Sequence, residues 1–555
     1  VARDLAVADC ETDPFKIGRV PQPFVWGYYD GTDYRQFDST AKFVEFVNEQ
    51  GTIIYAHNGG KFDWHFVLPY LNPYDDIMII NGRIARCNLG MSELRDSYNI
   101  LPVPLAAYKK DKIDYAIMEP DQRNKPHNKR KIAEYLKSDC MYLYELISGF
   151  VNLYGVQITQ ASAAMNQWKK ISQRKLPQTD KGFYDLLAPY YYGGRVECFE
   201  SGIIDTKFNV LDINSAYPYA MMHKHPYSGD FTHVEAYVEN ADFYKIRCIS
   251  RGAFPYRGEG NPGEFAGLRF PNDSETRVFT VTGHEFQAAK RTGTMEREKV
   301  LESFVFTEHV DFGEYITHFY EMRKAAKAKG NEAESLFAKL LMNSLYGKFA
   351  ANPENYRNYM IVPMDVIAGL GAMGWTFGGE LGPWGLAEAP LLEKQMRYYN
   401  VATGASITGF VRAMLWEAIA NSTGVLYCDT DSIAVRVPGS IVRFGEEIGE
   451  WKHEGNFDRA GIAGKKLYIF RGIPDKRGRR DYKAASKGAR LTHSQLWEVA
   501  AGGMVVFQNP VPTFSVSKAP VFTDRRIKYT AKTAKGKLDV TPVEIRVNRG
   551  ETLKG

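Results

Sequence analysis

The chain has little cysteine for its length: six in 555 residues (Cys10, Cys87, Cys140, Cys198, Cys248 and Cys428), none in a C-x-x-C pair. That spacing leaves no zinc or iron–sulfur ligand set and no disulfide framework, so a reducing cytoplasm is the expected setting. No run of about 18 apolar residues occurs, so neither a transmembrane helix nor a membrane partner is expected. The opening Val1–Asp9 is too short and too acidic at its end to be expected to act as a signal peptide. Internal repeats and low-complexity tracts are also missing. What remains is a chain of ordinary composition, 44% hydrophobic and 24% charged, too long for one core and expected to divide into several units.

Charge is unevenly placed. The net of +5 conceals a stretch at 465–490 with ten Lys or Arg against two Asp, and one at 518–554 with ten basic against four acidic side chains. These stretches net +8 and +6, leaving −9 for the rest. A basic C-terminal quarter behind an acidic body fits a surface that grips a phosphate backbone. Solvated surface loops are the alternative.

The first 140 residues read as α/β, with strands at 1–10 and 52–55, helices at 41–49 and 131–149, and a polar loop at 121–131. Residues 316–349 read as two helices joined at Gly330-Asn331, 352–395 as a Gly-, Trp- and Pro-rich insertion between helices, 396–422 as one helix, and 423–436 as a hairpin. Tyr190-Tyr-Tyr-Gly-Gly-Arg195 predicts a tight turn where backbone approaches a ligand.

Three carboxylates stand out. Asp212 ends an apolar strand in Leu-Asp-Ile-Asn-Ser-Ala-Tyr-Pro, and Asp429 and Asp431 sit at i and i+2 in Tyr-Cys-Asp-Thr-Asp-Ser. On an extended chain that pair shares one face. A strand carboxylate and a hairpin pair match what two-metal nucleotidyl transfer requires, with two Mg²⁺ or Mn²⁺ ions roughly 3.5–4 Å apart. Asp431 is expected to be the main ligand of the pair. Between them, Lys339, Asn343 and Tyr346 fall at i, i+4 and i+7, on one helix face that can lie along a nucleotide and its triphosphate. Arg323 and Lys327 on the preceding helix are candidates for the same phosphates. Tyr217, five residues after Asp212, is placed to floor a sugar pocket and reject a 2′-hydroxyl.

These motifs, in this order, resemble those of family B DNA polymerases, specifically the protein-primed branch of phages and linear replicons. The likeness runs from about residue 8 to 490 and is greatest to the compact polymerases of tailless, membrane-containing phages. Lys465-Lys-Leu-Tyr468 resembles the family's basic-aromatic motif, which implies primer-terminus contacts for Lys466 and Tyr468. Tyr191, Gly193 and Gly194 resemble its linker motif, which implies template binding. Asp9-Cys-Glu11, Asn58-Gly-Gly-Lys-Phe-Asp63 and Tyr135-Leu-Lys-Ser-Asp139 resemble the three motifs of DEDD exonucleases. The resemblance implies Asp9, Glu11, Asp63 and Asp139 as metal ligands, Tyr135 orienting the attacking water, and Asn58, Phe62, Ser97 and Tyr98 holding a frayed strand. Lys110 resembles an auxiliary lysine; Tyr55 and His57 flank the site. Small departures are Cys10 in place of a phenylalanine, Ala216 in place of a leucine, and Thr282-Gly-His-Glu285, which matches its signature loosely.

The implied fold class is mixed α/β and α+β, multidomain: an RNase H-like DEDD exonuclease domain, then a right-hand polymerase of palm, fingers and thumb with two insertions. The implied divisions are exonuclease 1–150, linker 151–205, palm 206–224, terminal-protein insertion 225–310, fingers 311–351, processivity and strand-displacement insertion 352–395, palm 396–464, and palm end with basic thumb 465–555. Exonuclease motifs starting at residue 9 and long spacers between polymerase motifs favour the protein-primed branch. The expected partners are primer–template DNA, dNTPs and a terminal protein, with the chain a monomer or a heterodimer with that protein in a host cytoplasm. The rival readings are a nucleic-acid-primed family B polymerase and a catalytically silent DNA-binding scaffold; the full set of seven carboxylates opposes the second.

Overall fold

The computed structural model describes residues 4–16, 19–177, 179–258, 267–486, 491–515, 518–534 and 537–549; the side chains of 504 and of 506–549 are not described. Lys487 and Arg490 of the first basic stretch, 259–266 of the first insertion and 550–555 of the thumb lie outside these residues.

The N-terminal sheet is built around Leu5–Thr12, which runs parallel to Ile53–Ala56 and antiparallel to Pro23–Tyr29. Its burial is near continuous, as a central strand covered on both faces requires. The long helix Pro126–Tyr154 packs across it. This helix starts five residues before the expected 131 because Pro126 supplies a preset φ at its first turn. It also runs past residue 150, so no domain break falls there. Gly27 allows its close approach: a Cβ there would stand 2.9 Å from Cys140 Sγ and 3.0 Å from Leu136 Cγ.

The Gly- and Trp-rich segment after residue 352 is not an irregular excursion. Its strands Arg357–Val362, Thr376–Leu381 and Trp384–Pro390 form an antiparallel meander that joins the N-terminal sheet, making it ten-stranded. Tyr359 and Met360 register against Ile77 and Asp76. Trp384 Nε1 donates to Leu68 O (2.8 Å), and Ile361, Leu381 and Leu386 share a core with Trp64, Leu68 and Ile77. Thr376–Leu381 also lies against the C-terminal strand Lys518–Ala534.

A seven-stranded antiparallel sheet occupies the centre, with Gly202–Ile213 between Ser432–Val437 and Trp451–Gly464. The expected division at 465 cuts a hairpin of this sheet, since Trp451–Gly464 pairs with Leu467–Gly472. Phe231–Val234, Phe243–Arg251, Asn272–Thr282 and Met295–Phe306 form a four-stranded sheet, beside which helix Gly283–Thr292 packs on the buried helix Val401–Ala420. Helices Gly313–Ala328 and Glu332–Phe349 form an antiparallel pair. Three strands, Met504–Ser515, Lys518–Ala534 and Lys537–Arg549, end the described chain. No helix among the described residues is long and apolar enough to cross a membrane.

Candidate active sites

Two acidic centres form on separate sheets. In the central sheet, Ser432 registers against Asp212, and Ile213 N donates to Asp431 O (2.8 Å), which sets Asp431 beside Asp212. Burial, then repulsion from Asp431 and Glu454, raises the Asp212 carboxyl to about 7. Asp431 rises to about 6, mainly through burial.

The expectation that Asp429 and Asp431 share a face is corrected here. Thr430 takes a left-handed φ of 62°, so the pair spans a tight turn rather than extended chain. Asp429 has its own network, accepting from Lys466 Nζ (3.0 Å) and Thr430 Oγ1 (3.0 Å), while its charge still helps raise Asp431. Lys466 also donates its backbone N–H to Tyr427 Oη (2.9 Å). Tyr468 is buried, its ring packed on Tyr427 and Phe470.

Helix Glu332–Phe349 buries Phe337, Ala338, Leu341, Met342, Leu345 and Phe349 and leaves Lys339 and Asn343 exposed. Asn343 Nδ2 donates to Lys339 O (2.8 Å), leaving its carbonyl oxygen free to accept. Tyr346 stacks on Tyr217 with centroids 4.5 Å apart and planes 4° from parallel, tying this helix to the aspartates. On the preceding helix Lys327 is exposed, Arg323 Nε is buried without a partner, and Lys324 is engaged by Tyr320 and Glu447.

The Tyr191–Gly194 turn meets the same place. A Cβ on Gly194 would lie 2.9 Å from Thr430 Cγ2 and 3.2 Å from Tyr217 Oη, so only glycine lets the turn touch both. Gly193 has open space around it. Arg412 holds the turn from beneath: Nη1 donates to Tyr192 O (2.6 Å) and Gly193 O (3.0 Å), and Nε to Glu285 Oε1 (2.7 Å). Arg412 and Glu285 are both buried. Glu285 also closes the capping box of Gly283–Thr292, which accounts for the loose Thr282–Glu285 signature.

The second centre opens into a cavity of about 910 Å³ lined by Asp9, Glu11, Asn58, Phe62, Asp63, Lys110, Tyr115, Tyr135 and Asp139, among others. Ligand oxygens of Asp9, Glu11 and Asp139 lie within 4.8 Å of one another, the one such group of three among the described residues. Asp63 stands apart from that triad, its Oδ1 accepting Cys10 N (3.2 Å). Burial raises Asp9 and Asp139, Glu11 to about 8 and Asp63 to about 6. Lys110 Nζ pairs with Asp139 Oδ2 (3.3 Å), and Tyr135 Oη meets Tyr115 Oη (3.2 Å).

Ser97 differs from its expected role. It is fully buried, with Oγ 2.9 Å from His57 Nδ1 and 3.3 Å from Ala56 O. Val103 O, an acceptor, lies 2.9 Å from His57 Nε2, so the ring nitrogen facing Ser97 accepts the hydroxyl proton. Ser97 therefore orients His57 and is not open to a strand. Tyr55 is buried beneath Arg95.

Nothing in the motifs pointed to Glu454, placed near Asp212 and Asp431 only by the register Lys452↔Asp212, nor to Arg412, whose helix is apolar almost throughout. The basic stretch is also less free than composition implies. Lys466, Arg471, Arg479, Arg480 and Lys483 are paired to Asp429, Asp458, Asp475, Asp458 and Glu454.

The residues of both centres fit divalent cations: they are clustered carboxylates, and buried Asp139 Oδ1 has no hydrogen-bond partner. Without cations these carboxyls keep protons that the unfolded chain has shed above about pH 4.5, so the native state binds more protons between there and about pH 8. Their contribution to stability therefore falls as pH rises through that window. A bound cation would replace the proton and reverse the loss. The rise in melting temperature on adding Mg²⁺ to EDTA-treated protein is expected to be larger at pH 8 than at pH 6; equal rises would count against the cation fit.

A model of DNA polymerase type B, organellar and viral, matches residues 103–371. The chain is 36% identical over 560 residues to the DNA-directed DNA polymerase of Enterobacteria phage PRD1, covering 95% of this chain and 98% of that one. It is 25% identical to the DNA polymerase of Bacillus phage phi29 over 80% of this chain and 83% of that one. Its fold is similar to phi29 DNA polymerase complexed with primer–template DNA, with a TM-score of 0.72 at 19% identity, covering 95% and 99%. With a 36% identical relative matched over nearly the full length of both chains, and a polymerase-like arrangement of motifs, the protein belongs to the type B DNA polymerases of organellar and viral kind.

Proposed function

We propose that the chain is a replicative DNA-directed DNA polymerase that adds dNMPs to a primer 3′-hydroxyl, edits with a separate 3′–5′ exonuclease site, and starts on a protein primer. The observation that carries the polymerase reading is the Asp212–Asp431 juxtaposition beside the stacked Tyr217–Tyr346 pair. Asp212 and Asp431 would hold the cations, which would supply activation of the primer hydroxyl and neutralisation of the triphosphate. Lys339 with Arg323 and Lys327 meets the phosphates, Tyr217 floors the sugar pocket, and Tyr346 lies against base or sugar. Lys466, anchored by Asp429, reaches the primer terminus; Tyr468 presents its hydroxyl from a packed ring.

At the second centre Asp9, Glu11 and Asp139, with Asp63 behind them, hold cations, and Tyr135 orients the attacking water. Asn58 and Phe62 hold the terminal nucleotide, the ring by stacking. The phi29 DNA polymerase structures include complexes with primer–template DNA and with incoming nucleotide substrates; the same ligands are proposed here, with a terminal protein docking near 225–310.

The meander at 357–390, lying between the N-terminal sheet and the C-terminal strands, supports the reading of this insertion as a clamp and strand separator. On a gapped template with Mg²⁺ and dNTPs, without helicase or clamp, synthesis is expected to continue past the gap. Replacing 364–383 by a short turn is expected to stop products at the duplex while leaving gap filling intact. Gap filling that stops at the duplex in the unaltered enzyme would overturn the reading of this insertion and favour a nucleic-acid-primed or repair enzyme.

A further inference from the structure

Asn58 sits at φ 64°, in the left-handed region that asparagine tolerates better than most residues. Its carboxamide is not free to turn. Arg83, on the neighbouring strand Arg83–Leu89, donates Nη1 to Asn58 Oδ1 (2.7 Å) and to Asp96 Oδ2 (2.5 Å). The Asp96 side chain is fully buried, and its other oxygen accepts Tyr98 N (2.9 Å). The guanidinium is stacked over the Tyr98 ring at 4.6 Å. Gly60 permits this approach, since a Cβ there would collide with Ile84 O at 2.1 Å and Arg83 Cγ at 2.7 Å. One guanidinium thus ties the 58–63 turn to the 96–98 turn at the wall of the acidic cavity.

We infer that Arg83 is a positioning residue of the exonuclease site: by occupying the Asn58 oxygen, it leaves the two Nδ2–H donors as the face that Asn58 offers to the cavity. An amide fixed this way selects hydrogen-bond acceptors, the phosphate, sugar and base oxygens of a 3′-terminal nucleotide, over donors. A freely turning amide spends part of its time presenting oxygen, which repels the same groups. Asp96 and Tyr98 hold Arg83 in place and do not touch the strand. The inference rests on the proposed exonuclease reading.

The test uses the full chain, with Arg83→Met, which keeps the stem without donors, and Arg83→Lys, which keeps the charge with a single nitrogen. Degradation of a 5′-labelled single-stranded oligonucleotide in Mg²⁺ is followed for kcat and KM, alongside Mn²⁺ binding and primer extension. Arg83→Met is expected to raise KM about tenfold with kcat within about threefold, Arg83→Lys to fall between it and the parent, and Mn²⁺ binding and extension to stay unchanged. In an Asn58→Ala background the Arg83→Met effect is expected to vanish, because the two act through one contact. An unchanged KM, an additive double variant, or equal losses of exonuclease and extension would overturn the role of Arg83 while leaving the exonuclease reading standing. A parent enzyme that degrades no more than Asp9→Ala would overturn both.

Discussion

Asp431→Asn is expected to lower template-directed extension by about 1000-fold or more while leaving single-strand degradation untouched, and Asp9→Asn to do the reverse. The size follows from the several kcal/mol of charge stabilisation that a bound cation supplies, at about 1.4 kcal/mol per tenfold in rate. The separation follows from the fold. Asp431 lies on a turn of the central sheet, and Asp9 lies on the N-terminal sheet among Glu11 and Asp139. Asp429→Asn is expected to be milder than Asp431→Asn. Its carboxylate is already committed to Lys466 and Thr430, so its loss frees Lys466 without stripping the Asp212–Asp431 pair. Extension and degradation measured side by side on the three variants check this. Loss of both activities in Asp431→Asn would contradict the two-site assignment, and equal losses in Asp429→Asn and Asp431→Asn would contradict the division of labour.

Arg412→Met is expected to cost about 3–5 kcal/mol of stability, the usual result of leaving one member of a buried ion pair alone. Glu285 has no route to water in that variant, being 2% exposed. The carbonyls of Tyr192 and Gly193 also lose their donor, so the turn beside Thr430 loosens and extension falls with stability. Combining Arg412→Met with Glu285→Gln is expected to recover a good part of the stability, because the stranded charge is removed while the amide still caps the helix. Extension is not expected to return, since the Tyr192 and Gly193 carbonyls still lack their donor. Thermal melting and extension on the single and double variants provide the check; a melting temperature for Arg412→Met within about 2 °C of the parent would rule this out.

The motif carboxylates were legible because each sits in a local context that names its own element: an apolar strand into Asp212, a helix joining Tyr135 to Asp139, a hairpin around Thr430. What was not legible depends on partners distant in sequence or on one backbone angle. The left-handed Thr430 puts a tight turn between Asp429 and Asp431, and nothing in the residue string announces it. Ser97 lies in a motif expected to meet a strand, yet burial commits its hydroxyl to His57. The basic stretch hides its pairings because Asp429 and Glu454 precede it in sequence and Asp458 faces it across a hairpin. The insertion after 352 could be read only as an insertion between helices, because the sheet edge it completes lies at Asp76–Ile80, far from it in the chain.

That completion sets a timetable for synthesis. When Asp76–Ile80 leaves the ribosome it pairs with Arg83–Leu89 on one side and has no neighbour on the other. Its partner, Arg357–Val362, is made only after the whole central region, on the order of tens of seconds later at roughly 5–20 residues per second. During that interval the N-terminal sheet carries an open, apolar edge beside Leu68 and Ile77, the kind of edge that pairs with other chains. Nascent chains stalled between residues 100 and 350 should therefore be more prone to self-association than the finished protein, and the meander is the segment that closes this exposure.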